Sequence, residues 1–374
     1  MSLTGDGMKL SFRIRLLAVL LVLAAAALPA WSQDEGTTIV KDSVQVTAFT
    51  LNVYHKNFDT WSWIPQMTYR VNGPIASGSQ LYVDFTVPGT GAWVKFDCKT
   101  SNIEKGRSWK TECGGRDIPE DKGITYVGAV KFTIHMRNEL QGSDVALFSG
   151  TAKVAKAHSN EGGPKVANHW VYYVDQDWNL PIAYAFYLPD EVKGMKYPSL
   201  GFALWTRGEY SPMDPHLFHD GKEVGKLYFK GEEVGKPGCA HAEVEDNTTH
   251  ITAPTEPKFI WTRSRCDFPS IKGWNNTGDK NNGTFGPLYI MSENPGDYEL
   301  KILKKGHLIR SMKFSVDATG KIVDNGIATA NKMGTNRIIE PIQILGDEDG
   351  PWSRTAWKTD AFYGNPLTGF TAVK

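Results

Sequence analysis

The chain has 374 residues, of which 41% are hydrophobic and 22% charged, and its 41 basic residues balance 41 acidic ones. This balance argues against a nucleic-acid partner, which requires a strongly basic face. The length predicts two domains, at roughly 100–200 residues each.

The first segment has the pattern of a secretory signal peptide. Lys9, Arg13 and Arg15 precede an apolar run over 16–30, and small residues follow it. We therefore predict a signal peptide over 1–32 and an exported protein, periplasmic or extracellular. The apolar run is shorter than the roughly 20 residues of a comfortable membrane span, and we predict no transmembrane segment after signal cleavage.

Downstream, the dominant pattern is the short run of alternating apolar and polar residues that is typical of half-buried strands. Such runs occupy 81–87 and 130–136 in the first half, and 298–302 and 312–316 in the second. Gly, Pro, Asn or Asp residues bound each run. Many short strands separated by turn residues predict an all-β fold of the sandwich type.

Several features occur twice in the same order, which predicts an internal duplication. Each half carries a Cys pair whose second Cys follows a Trp, in WKTEC over 109–113 and in WTRSRC over 261–266. The offset between matched positions grows steadily along the chain, as loop insertions in the second copy would require. The matched positions are Pro65 and Pro181, Cys98 and Cys239, Cys113 and Cys266, and Gly128 and Gly296.

The predicted organisation has three parts after the signal peptide. Two tandem immunoglobulin-like, duplicated antiparallel β-sandwich domains span 39–158 and 165–320, the second with long loop insertions. A C-terminal extension over 321–374 is rich in apolar residues, so we expect it to pack on a domain or on a partner. A strand donated from this extension to a neighbour's sheet would make an oligomer.

All four cysteines lie in the predicted exported part, where an even count favours disulfides over metal ligands. Three pairings are open. If each half is one domain, each pair closes within its own domain. We therefore predict the bridges Cys98–Cys113 and Cys239–Cys266.

The sequence contains no GxSxG, HExxH or phosphate-loop motif. It favours an exported, non-catalytic binding or surface-structural protein, and we lean away from an enzyme. The alternative is a secreted or periplasmic hydrolase, carbohydrate-active or metal-dependent, with its site in the insertion over 208–241. The candidate residues of that site are Glu209, Asp214, His216, His219 and Asp220.

The same insertion is the candidate metal site. His216, His219 and Asp220 have side chains that ligate divalent metals, with His241 as a fourth candidate, although a solvated loop with two ordinary histidines is the more frequent case. No other cofactor is predicted. Asp175, Asp177 and Asn179 follow the start of a calcium loop, but Leu180 replaces its essential Gly, so we interpret this stretch as a polar turn.

Aromatic residues give the predicted binding site. Trp205 and Tyr210 flank the insertion that only one half contains, and exposed Trp and Tyr side chains anchor proteins or sugars efficiently. We predict that these two residues contact a protein or carbohydrate partner at the cell surface. Trp63 and Trp178 recur in both halves and are predicted to be core residues.

Overall fold

The computed structural model describes residues 36–52, 61–114, 120–158, 170–188, 199–207, 213–226, 241–244, 261–268, 294–319, 321–333, 337–346 and 352–374. The predicted signal peptide and the predicted linker at 160–165 lie outside these ranges. Within them, no helix is long and apolar enough to cross a membrane.

The described chain is 64% strand and 8% helix, which confirms the all-β class. Its strands form two antiparallel sheets. The strands of the first sheet are β1 Thr38–Asn52, β2 Trp61–Asn72, β3 Ser79–Val87, β4 Gly91–Glu104, β5 Ser108–Cys113, β6 Gly128–Asn138, β7 Ser143–His158 and β8 Trp170–Val174. Those of the second are β9 Ile182–Leu188, β10 Ser199–Arg207, β11 Met213–His219, β12 Lys222–Lys226, β13 His241–Val244, β14 Trp261–Phe268, β15 Gly296–Lys304, β16 His307–Val316 and β17 Arg337–Ile344.

Short helical elements connect or follow these strands. They are the 3₁₀ turns Glu120–Lys122 and Asp177–Asn179 and the helices α1 Ile327–Ala330, α2 Ala356–Thr359 and α3 Ala361–Gly364.

The first sheet has the strand order β1-β2-β5-β4-β3-β6-β7-β8. It curls until its two outer strands meet, because the backbone N–H of Tyr172 in β8 donates to Thr50 Oγ1 in β1 at 3.0 Å. Alternation along the strands turns Phe85 and Phe132 inward, where their ring centroids lie 5.9 Å apart. The sheet is therefore barrel-like, and the predicted immunoglobulin-like sandwich is not confirmed.

The second sheet has the order β12-β11-β15-β16-β17-β9-β10-β14-β13. β17 belongs to the predicted C-terminal extension but lies inside this sheet, where it pairs with β16 on one side and β9 on the other. β8 lies after the predicted boundary at 165 but belongs to the first sheet. In sequence, the two sheets therefore meet between β8 and β9.

One hydrophobic core joins the two sheets and the C-terminal residues. Tyr184 and Ile339 of the second sheet are part of the same buried cluster as the core of the first sheet. Phe362 and Tyr363 of α3 also belong to it, and the Val46 N–H donates to the Tyr363 hydroxyl at 2.9 Å. The last residues of the chain thus pack over the first sheet.

The predicted Cys98–Cys113 disulfide is confirmed. The two cysteines lie directly opposite each other on β4 and β5, and the Tyr69 hydroxyl donates to Cys98 Sγ at 3.6 Å. Cys239 lies outside the described residues, so the second predicted bridge remains a prediction.

Candidate functional site

Two Trp and two Arg residues form a cluster on the outer face of the second sheet, which we call the junction cluster. Trp205 pairs with Arg263 and Arg207 with Trp261 across β10 and β14. Residues two apart share one face of a strand, so all four side chains lie together. Trp205 is only 6% exposed, and Arg207 and Trp261 are buried as well. The Arg207 guanidinium lies 5.1 Å from the Trp261 ring centroid, within the range of a cation–π contact.

The turn Asp177–Asn179 ties the junction cluster to the rest of the molecule. The Asp177 carboxylate lies 3.7 Å from the Arg207 guanidinium. Its other oxygen accepts a hydrogen bond from the Ser353 N–H at 3.0 Å. One buried carboxylate therefore links the second sheet, the segment after β8 and the start of the C-terminal segment.

A second carboxylate, that of Asp175, lies beside the Asp177–Arg207 ion pair. Burial, together with the negative charge of Asp177, raises the pKa of Asp175 to about 6, although the hydrogen bond from the Asp177 N–H and the positive charges of Arg207 and Lys153 act in the opposite direction. Asp175 also accepts a hydrogen bond from the Asp177 N–H at 3.2 Å. The joint between the sheets thus contains a carboxyl group that titrates in a mildly acidic range.

A small cavity of about 40 Å³ lies next to the junction cluster, between β1, the turn Asp177–Asn179 and the second sheet. One of its walls carries Asp42, whose side chain is 2% exposed and lies 2.8 Å from Arg337 Nε. On another wall the Tyr184 hydroxyl donates to Asn179 Oδ1 at 3.2 Å. The cavity is therefore lined by ordered polar groups as well as aromatic rings.

The predicted binding residues have different outcomes. Trp205 is not an exposed residue in this structure, because it is 6% exposed and packs in the junction cluster; its contact with a partner stays a prediction. Tyr210 and Glu209 lie outside the described residues. Trp63 and Trp178 are buried core residues, as predicted.

The three predicted metal ligands do not form one group, because His216 lies apart from His219 and Asp220. His216 lies on the outer face of β11, with its ring nitrogens 3.0 Å from Asp214 and 2.8 Å from Glu223. His219 turns to the other face, where its ring stacks on Tyr298 at 4.5 Å, and Asp220 lies 3.5 Å from it. Among the residues that the structure describes, no three His, Cys, Asp or Glu side chains are arranged to hold a metal. The His241 side chain is outside that part.

Sequence reasoning missed a similar histidine in the first sheet. His135 has Asp84 at 2.9 Å and Asp144 at 3.5 Å from its ring nitrogens, and it stacks on Tyr82 at 4.6 Å. The Tyr82 hydroxyl donates to Asp144 at 2.6 Å. Burial raises the pKa of Tyr82 to about 12, and its hydrogen bond to Asp144 contributes. Each sheet thus carries one outward-facing His between two carboxylates.

Arg207, Asp42 and Arg337 were also missed, and Asp177 was interpreted only as part of a polar turn. The one available signal was the spacing of Arg207, two residues after Trp205 in an alternating strand. Ion pairs between distant strands leave no such signal.

Comparisons with known proteins show little similarity. No protein-family model matches the chain, and no curated protein matches it. Two crystal structures of the uncharacterized protein lmo2446 from Listeria monocytogenes EGD-e are similar to 69% of this chain at 11% identity, with TM-scores of 0.17 and 0.18. One of them contains glucose, magnesium and calcium. The matched region spans 19% of that chain, and at these TM-scores the similarity carries no argument.

Proposed function

We propose that this protein is an exported, non-catalytic binding or surface-structural protein built from two copies of one barrel-like β unit. The observation that carries this proposal is the shared core, in which both sheets and the C-terminal segment are packed together. A joint of this kind resists hinge motion, since packed interiors deform little. A packed joint between the two sheets is therefore typical of a rigid scaffold. The buried disulfide fits an oxidising compartment.

Strand order supports the two-copy architecture. In the first sheet, β4 pairs with β3 along its first half and with β5 along its second half. In the second sheet, β12 pairs with β11 and β13 pairs with β14, so these two short strands take the place of β4. With β12 and β13 counted as one strand in the place of β4, the strands of the second sheet follow each other in the same circular order as those of the first sheet. The proposed equivalent strands are β1 and β9, β2 and β10, β3 and β11, β5 and β14, β6 and β15, β7 and β16, and β8 and β17.

Matching irregularities give independent support. The β6–β7 ladder shifts register after Ile134, and the β15–β16 ladder after Ile302, 168 residues later. Gly128 and Gly296, which begin β6 and β15 with positive φ angles of 127° and 147°, are the same distance apart. Inherited β-bulges keep their positions within a family, so such agreement favours duplication over chance.

The β3–β4 and β11–β12 ladders agree in the same way. They shift register after Phe85 and Leu217 respectively, which face Phe132 and Leu300 across the neighbouring strands. One sequence match does not fit this scheme. Pro65 lies in β2, whereas Pro181 precedes β9, the proposed equivalent of β1.

The proposed binding surface is one end of the first unit. The β4–β5 and β6–β7 hairpins turn at the same end, because Ser79 at the start of β3 pairs with Asn138. Ile103, Leu140 and Val145 lie there with 54%, 81% and 50% of their surface exposed. Hairpin tips on a rigid scaffold are frequent recognition sites, and exposed apolar side chains favour a protein partner over a carbohydrate.

Binding of the purified protein to cell-envelope proteins, measured by surface plasmon resonance, tests this proposal. Leu140→Asp combined with Val145→Asp should abolish binding. Leu308→Asp, in the β15–β16 hairpin of the second unit, is the matched control and should leave binding unchanged. Equal binding by both variants would refute the proposed surface. Polysaccharide hydrolysis that His216→Ala abolishes would instead establish the hydrolase alternative.

A further inference from the structure

We propose that the C-terminal segment, residues 352–374, is a pH-sensitive strap that stays closed on the joint between the two sheets in mildly acidic solution and opens more often as the pH rises. The proposal concerns the joint alone and does not depend on the hairpin surface proposed above.

The strap packs over the turn Asp177–Asn179. The Ser353 N–H donates to the Asp177 carboxylate at 3.0 Å, and helix α2 contacts the turn. The ring centroids of Trp178 and Phe362 lie 5.7 Å apart. The beginning of the strap therefore covers the turn, and opening of the strap would return water to it.

Lys153 of β7 makes a second polar contact with the strap. Its ammonium group donates to the Asp360 carboxylate, which also accepts a hydrogen bond from the Thr359 hydroxyl at 3.2 Å. Two contacts thus hold the beginning of the strap, one through Asp177 and one through Lys153.

Asp175 lies between these two contacts. Its N–H donates to the Lys153 carbonyl at 2.7 Å, and its carboxylate accepts a hydrogen bond from the Asp177 N–H at 3.2 Å. When Asp175 is neutral, it does not compete with Asp360 for the charge of Lys153. When it is ionised, it attracts Lys153 and repels Asp177. The charge of Asp175 therefore acts on both contacts of the strap.

Four charged or titratable groups from separate elements surround Asp175. They are Lys153 on β7, Tyr173 on β8, Asp177 on the turn and Arg207 on β10. Burial raises the pKa of the Tyr173 phenol, so this group stays neutral below pH 8. Burial is also the main reason why the pKa of Asp175 is about 6. Any opening that returns water to Asp175 therefore favours its ionised form.

The direction of the pH effect follows from these groups. An aspartate in water titrates near pH 3.9, so the closed strap holds the proton of Asp175 more tightly than the open strap does. The contribution of Asp175 to closure is therefore present below about pH 4 and is lost as the pH rises through about 6. Between pH 5 and pH 8, these two values give about a tenfold increase in the open population.

Hydrogen–deuterium exchange of the full chain at pH 5 and pH 8, corrected for intrinsic exchange rates, measures the opening. Amides over 353–363 should be about tenfold less protected at pH 8. At pH 8 they should also be less protected than those of β6, which report unfolding of the core.

Asp175→Asn should abolish the pH dependence, because it replaces the carboxyl group by a neutral amide of the same shape. Asp97→Asn is the matched control. Asp97 lies on the outer face of β4 and its side chain is 60% exposed, so this variant should keep the pH dependence of the unchanged protein.

Equal protection of the strap at both pH values would refute the proposal, and so would a pH dependence that persists in Asp175→Asn. Protection equal to that of β6 at pH 8 would also contradict it, since the strap would then open only when the whole fold does. If Asp175→Asn does not fold, NMR of the Asp175 carboxyl carbon in the unchanged protein decides. This group should titrate near pH 6, and titration near pH 4 would overturn the proposal. None of these readouts involves the hairpin surface, so the two proposals can fail independently.

Discussion

The outer faces of β2 with β5 and of β10 with β14 are equivalent in the proposed two-copy alignment, yet they differ in character. On the first pair, Arg70 and Lys110 face solvent. On the second pair, Trp205 and Arg263 take their places and line the joint between the sheets. The inner faces keep one pattern, with Tyr69 buried in the core of the first sheet and Leu204 in the core of the second.

If the two sheets are copies of one unit, this contrast shows how the two came to share a core. Inward residues are constrained by the core of their own sheet, so they are apolar in both sheets. The type of an outward residue depends on whether another segment of the chain packs on that face of the sheet. In the second sheet the cover is the turn Asp177–Asn179 and the C-terminal segment, so large rings and paired charges replace solvated side chains.

The largest expected effect is at the junction cluster. Trp205→Ala should lower the free energy of unfolding by about 3–5 kcal/mol, because it leaves a cavity in a packed interior. Arg70→Ala, at the equivalent exposed position, should change it by less than about 0.5 kcal/mol. Urea denaturation of both variants measures the two losses in the free energy of unfolding. Similar losses would show that the two outer faces do not differ in burial.

The next effect concerns the disulfides. Cys98→Ser combined with Cys113→Ser should lower the free energy of unfolding by about 3 kcal/mol, which is the value of the chain-entropy model for residues separated by 15 positions. If the second unit is a copy, Cys239→Ser with Cys266→Ser should cost a similar amount. Peptide mapping by mass spectrometry provides the control, since a Cys239 that is bridged to anything except Cys266 would contradict the duplication.

Acidic pH should strengthen the joint. An ordinary Asp titrates near pH 3.9, or about 2 units below Asp175. Because the folded state holds this proton more tightly, the contribution of Asp175 to stability is present below pH 4 and is lost as the pH rises through about 6. Glu340, whose pKa burial raises to about 7, acts in the same direction.

Urea denaturation of the parent and of Asp175→Asn between pH 4 and pH 8 measures this contribution. The stability of the parent relative to the variant should fall by about 2 kcal/mol over this range, given about 1.4 kcal/mol for each pKa unit and some solvent screening. A difference that does not change with pH would contradict the raised pKa.

The smallest effect is on the exposed face. Lys110 lies 2.7 Å from Glu112, and both side chains are more than half exposed. Such pairs contribute little, so Lys110→Ala should lower the unfolding free energy by less than about 0.5 kcal/mol. Arg207→Ala, which breaks a buried contact with Asp177, provides the comparison in the same denaturation assay. A loss above 1 kcal/mol for Lys110→Ala would show that this face is also covered.

Local patterns were sufficient to predict several elements. Alternation located β3, β6, β15 and β16, because a strand with one buried face must alternate. The repeated Cys pair, one pair in each half, predicted the Cys98–Cys113 bridge, and the structure places the two residues opposite each other on β4 and β5. The same reasoning could not foresee that the first sheet would close on itself, since the strand pattern is the same in a sandwich and in a barrel.

Other predictions depended on what covers a face. The position of Trp205 beside an insertion predicts an exposed side chain, but residues about 30 and 150 positions away cover it. His216 and His219 looked like joint ligands because they are close in sequence. A strand sends residues three apart to opposite faces, so β11 separates them.

Apolar periodicity and turn residues thus determined the all-β class, because they depend on neighbours within a few positions, and the recurrence of one Cys pair in each half predicted the Cys98–Cys113 bridge. The place of β17 between β16 and β9, the burial of the junction cluster and the charged cavity beside it arose from contacts between segments far apart in the chain. Side-chain patterns record which residues share a face, but the partner of that face is set by packing.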